Sequence, residues 1–193
     1  MNIYMTTLKN TPTLTVGKET LFAGTPYIVS NEYATVTFGN FCSIAPNLKI
    51  IATNHDYNYS AVQYTFYKKY FNTSHPGELN NPPTKERTKG NVIIGNDVWI
   101  GEDVVILSGV KIGDGCCIGA RSIVTKDLES YTICAGTPCK SIKYRYDKDM
   151  IEYLLQLKWW NWSDDTIKQN KEFFHTNLNN INIEQLKKII KSI

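Results

Sequence analysis

Apolar residues in the middle of the chain recur with a period of six. Aliphatic side chains stand at Ile94, Ile100, Ile106, Ile112, Ile118 and Val124 without a slip in register. A smaller residue falls four positions after each of the first five, at Val98, Val104, Val110, Cys116 and Ser122. Glycine follows the aliphatic at Gly95, Gly101, Gly113 and Gly119. An amphipathic helix repeats about every 3.6 residues and a half-buried strand about every 2, so neither produces this pattern. A hexapeptide period marks a parallel β-helix. Each unit supplies one short strand and a corner, and three units complete one triangular coil. The aliphatic points into the prism and stacks on its equivalent in the next coil. The residue four later also points inward and must be small, because a larger one would overfill a close-packed interior. Glycine suits a corner where the backbone is strained or closely approached. One coil cannot bury its own apolar face, so several must stack.

The same phase reaches back to Phe38-Gly39, Ile44-Ala45 and Ile50-Ile51, with Cys42 and Leu48 at the small position. A weaker set lies at Val16-Gly17, Phe22-Ala23 and Ile28. The prism is expected over about residues 14–137, with imperfect register near Ser30–Thr35. A long excursion over about residues 54–91 interrupts it. That stretch holds Tyr57, Tyr59, Tyr64, Phe66, Tyr67, Tyr70 and Phe71, then His75-Pro76-Gly77 and Pro82-Pro83. Connections this long are as a rule functional or disordered, and the aromatic density opposes disorder. Ala135-Gly136-Thr137-Pro138 reads as a turn that ends the prism.

After Lys140 the pattern becomes helical. Asp147 is expected to cap a helix with Met150, Ile151, Leu154, Leu155 and Leu157 on one face. Ser163 is expected to cap a second helix through about His175, and Ile183, Leu186, Ile189 and Ile190 mark a third. Helices laid over the prism end would cover open strand edges and exposed core. The chain thus divides into an all-β solenoid over residues 1–140 and a C-terminal α-helical tail over 141–193.

Composition narrows the function classes. The chain has 193 residues, 42% of them hydrophobic, and a net charge of +3. That charge is too small, and its Lys and Arg too scattered, for a nucleic-acid surface. No stretch approaches the ~18 apolar residues of a membrane span. The polar start, Met1 to Asn10, lacks the apolar segment of a signal peptide. The five cysteines are odd in number. Cys42 and Cys116 occupy inward positions, where thiols serve as compact hydrophobes, and Cys117 would face the other way. Cys134 and Cys139 lack the spacing of a structural zinc site. No catalytic metal is expected, and a reducing cytoplasm suits this cysteine usage.

Histidine occurs three times, at His55, His75 and His175. His55 stands where the repeat stops and the excursion begins. A rigid face with a loop hung from it makes a natural wall for a site, and imidazole is the commonest general base. The residues alone leave open a plain corner role for His55. His75, beside Pro76 and Gly77, is expected on the loop surface, and His175 in a structural position in the tail. No phosphate-binding loop and no Gly-x-Ser-x-Gly elbow is present.

Several runs carry a closer resemblance. These are Phe38-Gly39-Asn40-Phe41-Cys42-Ser43-Ile44-Ala45, Asn54-His55 and Ile94-Gly95-Asn96-Asp97-Val98-Trp99-Ile100-Gly101. Thr125-Lys126-Asp127, Ala135-Gly136-Thr137-Pro138 and Trp159-Trp160-Asn161-Trp162 continue the likeness. Together they resemble the xenobiotic acetyltransferase group of the hexapeptide-repeat, left-handed β-helix acyltransferases. The resemblance covers most of Thr25 to Trp162. It implies a left-handed parallel β-helix with a protruding loop and a helical tail, acting as a homotrimer with acetyl-CoA as co-substrate and no metal. It implies His55 as the general base. It places the CoA arm against Trp99, Ala120, Thr125, Lys126, Lys140 and Lys143, and the acceptor against Asn54, Tyr57, Tyr64 and Phe66.

This chain departs from the group's pattern in three places. Thr53 stands where a Gly commonly precedes the Asn-His pair, Tyr64-Thr65-Phe66 replaces a Tyr-Pro-Phe stretch, and Lys140 and Lys143 stand where Arg is common. The lysines keep the charge and lose bidentate phosphate binding. The expected reaction is transfer of acetyl to a hydroxyl or amine of a sugar, sugar nucleotide or glycan by direct attack. The alternatives are inactivation of an antibiotic of streptogramin or chloramphenicol type, and a non-catalytic assembly scaffold.

Overall fold

The computed structural model describes residues 6–191, so residues 1–5 of the expected polar start and residues 192–193 of the tail lie outside it. The chain visits three sheets in rotation. The first coil is β1 (Leu14–Val16), β2 (Leu21–Phe22) and β3 (Tyr27–Val29). The second is β4 (Val36–Phe38), β5 (Ser43–Ile44) and β6 (Lys49–Ile51). After the excursion come β7 (Val92–Ile94), β8 (Trp99–Ile100) and β9 (Val105–Leu107), then β10 (Lys111–Ile112), β11 (Cys117–Ile118) and β12 (Ile123–Val124). Every third strand is a hydrogen-bonded parallel neighbour. The first face is β1-β4-β7-β10, the second contains β2-β5-β8-β11, and the third is β3-β6-β9-β12.

Register places the six-residue aliphatics in columns. Val16, Phe38, Ile94 and Ile112 align on the first face. Phe22, Ile44, Ile100 and Ile118 align on the second, and Ile28, Ile50, Ile106 and Val124 on the third. Ile50, Ile100, Ile106 and Ile118 are wholly buried, as are the small-position residues Leu48, Val104 and Cys116. Each such aliphatic gains roughly 1.5–3 kcal/mol from burial.

The repeat glycines answer to close approach. Gly95, Gly101, Gly113 and Gly119 all avoid the left-handed region. A Cβ on Gly101 would lie 2.6 Å from the Ala120 nitrogen, and one on Gly39 2.6 Å from the Gly95 carbonyl carbon. Left-handed backbone falls instead at two corners, one residue per coil: Gly24, Asn47, Asp103 and Arg121 between the second and third faces, and Glu19, Phe41, Asp97, Gly115 and Tyr131 between the first and second. A side-chain ladder secures the latter corner. Asn40 Oδ1 accepts from the Lys18 N–H at 2.8 Å, Asn96 Oδ1 from the Asn40 N–H at 2.8 Å, and Asp114 Oδ1 from the Asn96 N–H at 2.7 Å. Each ladder bond satisfies a backbone donor that the strands leave unpaired.

The solenoid ends differently from the helical continuation expected after Lys140. β13 (Thr132–Ala135) extends the second face, and β14 (Lys140–Tyr144) folds back on it antiparallel. All five residues of β14 are exposed, so it carries no inward-outward alternation to betray it. Its backbone pairs the last strand edge of that face.

The tail contains α3 (Lys148–Leu157), a 3-10 turn (Trp159–Asn161), α4 (Asp164–Gln169), α5 (Lys171–His175) and α6 (Ile183–Ile189), while the excursion holds α1 (Tyr64–Phe71) and α2 (Pro76–Leu79). The caps at Asp147 and Ser163 form as expected, accepting from the Met150 and Thr166 N–H groups. The single helix expected from Ser163 to His175 is broken at Asn170. That residue is buried, donates to the Thr166 carbonyl at 2.9 Å and accepts from the Lys191 N–H at 2.7 Å. Leu154, Trp160, Phe173 and Leu186 form a second core.

The tail does not simply cover the prism end. It doubles back along the corner between the first and second faces. Arg145 pairs with Asp97 at 3.0 Å, Asn40 Nδ2 donates to the Trp160 carbonyl at 3.1 Å, the Phe41 and Trp159 rings lie 5.1 Å apart, and Lys18 pairs with Asp164. These contacts run from the third coil to the first.

Candidate active site

The excursion is tied at its root. The Asn54 N–H donates to the Arg87 carbonyl at 2.7 Å, and Thr88 Oγ1 donates to the Ala52 carbonyl at 2.7 Å. His55 therefore sits at a fixed point just beyond the third face, with its ring exposed to solvent. Its Nδ1 lies 2.9 Å from the Val62 carbonyl oxygen. A carbonyl only accepts, so Nδ1 carries the hydrogen, and Nε2 of the neutral ring keeps a free lone pair. That is the tautomer of a general base.

The Tyr64 ring packs against His55 at 4.5 Å. Tyr64 Oη accepts from Arg87 Nη1 at 2.7 Å, and the Arg87 guanidinium lies over the same ring at 5.3 Å. Asp56, next to His55 in sequence, is buried. Its carboxylate accepts from Thr84 Oγ1 at 2.6 Å and from the Asn58 N–H at 3.0 Å. These bonds, that of Thr84 foremost, hold the Asp56 carboxyl below its ordinary range.

His75, expected at the loop surface, is wholly buried. The rings of Tyr59, Tyr64 and Tyr67 surround it at 5.1, 4.4 and 4.8 Å. Its burial comes from aromatics brought together by the loop's own fold, which no periodicity announces. Asp56, Thr84 and Arg87 escaped the sequence reading for the same reason.

The remaining residues expected at the site fall into separate groups. Asn54 and Tyr57 are exposed beside His55. Tyr64 is wedged between the two histidine rings, and Phe66 joins Tyr67, Tyr70 and Phe71 in a cluster. Trp99 projects from the second face, 48% exposed. Register aligns it in one column with Ser43, Cys117, Ile133 and Lys143, and Lys140 stands on the same final strand. Ala120 is exposed just past β11, while Thr125 and Lys126 follow β12 on the third face. His55 belongs to the corner of the third and first faces. In a three-sided solenoid that corner is opposite the second face, so one chain does not bring His55 and Trp99 together. A groove of about 510 Å³ lies elsewhere, between Glu129, Ser130 and Tyr144 and the Ile151 and Leu155 side of α3. Among the described residues, no group of three or more His, Cys, Asp or Glu is placed to hold a metal.

The chain matches the family described as bacterial transferase hexapeptide (six repeats) over residues 91–126. It is 35% identical over 168 residues to a chloramphenicol acetyltransferase of Agrobacterium fabrum, covering 81% of this chain and 79% of that relative. It is 44% identical over 136 residues to a probable macrolide acetyltransferase of Lysinibacillus sphaericus, covering 69% of this chain and 73% of that one. It is 39% identical over 124 residues to the galactoside O-acetyltransferase of Escherichia coli K12, covering 64% of this chain and 51% of the relative. The repeat and the matched relatives define a hexapeptide-repeat acetyltransferase. Within that class the chain belongs to the xenobiotic acetyltransferase group, and the reading as a non-catalytic scaffold falls away.

Proposed function

We propose that this acetyltransferase moves the acetyl group of acetyl-CoA to a hydroxyl of a xenobiotic small molecule of chloramphenicol or macrolide type, with His55 as the general base. The observation that carries the catalytic part is the Nδ1–H of His55 held on the Val62 carbonyl, which leaves Nε2 free at an exposed loop mouth. The relatives matched over most of the chain favour the antibiotic acceptor over the sugar expected from sequence. A sugar hydroxyl remains the second reading, favoured by the galactoside relative and by the aromatic density of the loop.

His55 Nε2 takes the proton of the acceptor hydroxyl, and the freed oxygen attacks the thioester carbonyl carbon. Collapse of the tetrahedral oxyanion breaks the C–S bond, and the departing sulfur takes the proton from His55, giving the acetyl ester and CoA thiol. Holding both substrates in one cleft supplies up to roughly 7–11 kcal/mol through effective concentration. The separation of His55 from Trp99 within one chain supports assembly of these left-handed β-helices as a homotrimer. A neighbouring copy's second face would then bring Trp99, Ala120, Lys140 and Lys143, with Thr125 and Lys126 at the adjoining edge, to the CoA arm. In this reading residues 1–140 form the catalytic solenoid and 141–193 the tail that braces it, and the enzyme works in the cytoplasm.

Thiol release from acetyl-CoA with a panel of chloramphenicol, a macrolide and a galactoside is the test. Release with an antibiotic and its loss in His55→Ala supports the proposal. Release with the galactoside alone favours the second reading, and full turnover in folded His55→Ala overturns the assignment of the base.

A further inference from the structure

The excursion holds a second histidine whose two nitrogens are both committed. The Gly77 N–H donates to His75 Nδ1 at 2.9 Å. A backbone N–H only donates, so Nδ1 carries no hydrogen, and Nε2–H must donate to the Ala61 carbonyl at 3.1 Å. The next carbonyl along the chain, that of Val62, accepts from His55. Two histidines thus grip adjacent carbonyls of one short segment, with the Tyr64 ring between them at 4.5 and 4.4 Å. The His75 side is anchored: the ring is wholly buried, and it N-caps α2. The His55 side is exposed, and the Val62 carbonyl is the one hydrogen-bond partner that the described structure gives its ring.

We infer that His75 is a positioning residue: by fixing Ala61 it aims the Val62 carbonyl that sets the tautomer and direction of the His55 ring. The inference rests on His55 being the base. His75 meets no substrate in this role. It acts through a rigid peptide, and loss of its Nε2–H would let the Ala61–Val62 segment turn while the solenoid stays folded.

Two substitutions separate positioning from plain support. His75→Asn keeps an oxygen that accepts the Gly77 N–H, since Asn is among the best N-caps, and removes the reach to Ala61. His75→Gln restores a donor near the Nε2 position. Expected in His75→Asn is a fall in kcat of at least about tenfold, short of the roughly 10²–10⁴ of a lost base, with the KM for acetyl-CoA held, and recovery in His75→Gln. In a His55→Ala background, His75→Asn should have no further effect on kcat, because its action passes through the missing ring. An unchanged kcat in His75→Asn overturns the inference. So does an equal fall with and without His55, or a fall that tracks lost thermal stability. His55→Ala alone keeps the two readings apart. If it retains full turnover, the base assignment fails; if it is inactive while His75→Asn is unaffected, only the positioning role fails.

Discussion

The solenoid and the excursion are built by opposite means. The solenoid repeats one apolar contact coil after coil, so that Ile50, Ile106 and Val124 stack in a column that no single residue defines. The excursion repeats nothing. Its helix α1 has no buried residue, and the loop is held by polar contacts that do not recur along it: Thr84 on Asp56, Arg87 on Tyr64, Thr88 on Ala52 and His75 between Ala61 and Gly77. Damage to the first should therefore appear as lost stability and damage to the second as lost geometry.

The largest effect expected lies in the loop. His55→Ala should lower kcat by about 10²–10⁴ while the melting temperature holds, because the ring is exposed and makes one hydrogen bond. Steady-state kinetics beside a thermal melt checks this, and a variant that loses stability and activity together would erase the contrast.

The solenoid should show the reverse. Ile106 is wholly buried and contacts its equivalents above and below. Ile106→Ala should cost about 2–5 kcal/mol, from lost transfer energy and the cavity left behind, with kcat at permissive temperature little changed. Gly101→Ala should cost less, about 1–3 kcal/mol as for overpacking elsewhere, because the new Cβ meets Ala120 backbone at 2.6 Å. Denaturant unfolding measures both. A neutral Gly101→Ala would show that neighbouring coils can separate, and the solenoid would be softer than its columns suggest.

The same contrast explains what the sequence could reveal. The coils from Ile94 to Val124 were legible because every one restates the rule. The caps at Asp147 and Ser163 were legible because a cap is settled within three residues. The strand Lys140–Tyr144 was hidden, since all its side chains face solvent and only its backbone pairs. The path of the tail was hidden too, because it depends on single long-range pairs such as Arg145 with Asp97 and Asn40 with Trp160. His55 stood out by its place at the break in the repeat. His75 did not, for three tyrosines from a stretch without period enclose it.

The smallest effect expected is the most local. Thr84→Val removes the hydroxyl that donates to Asp56 at 2.6 Å. That bond is the leading reason the Asp56 carboxyl lies below its ordinary range, with the Asn58 N–H second. A carboxyl whose folded value is depressed adds stability above its unfolded pKa, near 3.9, and loses it as pH falls through the folded value. With Thr84 replaced, the folded value moves back towards the unfolded one, so the contribution at neutral pH shrinks and less of it remains to be lost on acidification; the loss still sets in near the unfolded pKa and is complete at a higher pH. The change should be confined to the loop. Proteolysis within residues 54–91, followed from pH 7 towards pH 3, should be faster in the variant at neutral pH and quicken less on acidification, so that the two proteins converge, while the unfolding of the solenoid keeps its own pH dependence. Parallel acid curves for the two proteins would mean that Asp56 is held by packing against Gly77 rather than by its donors, and the loop would then resemble the solenoid more than its polar wiring implies.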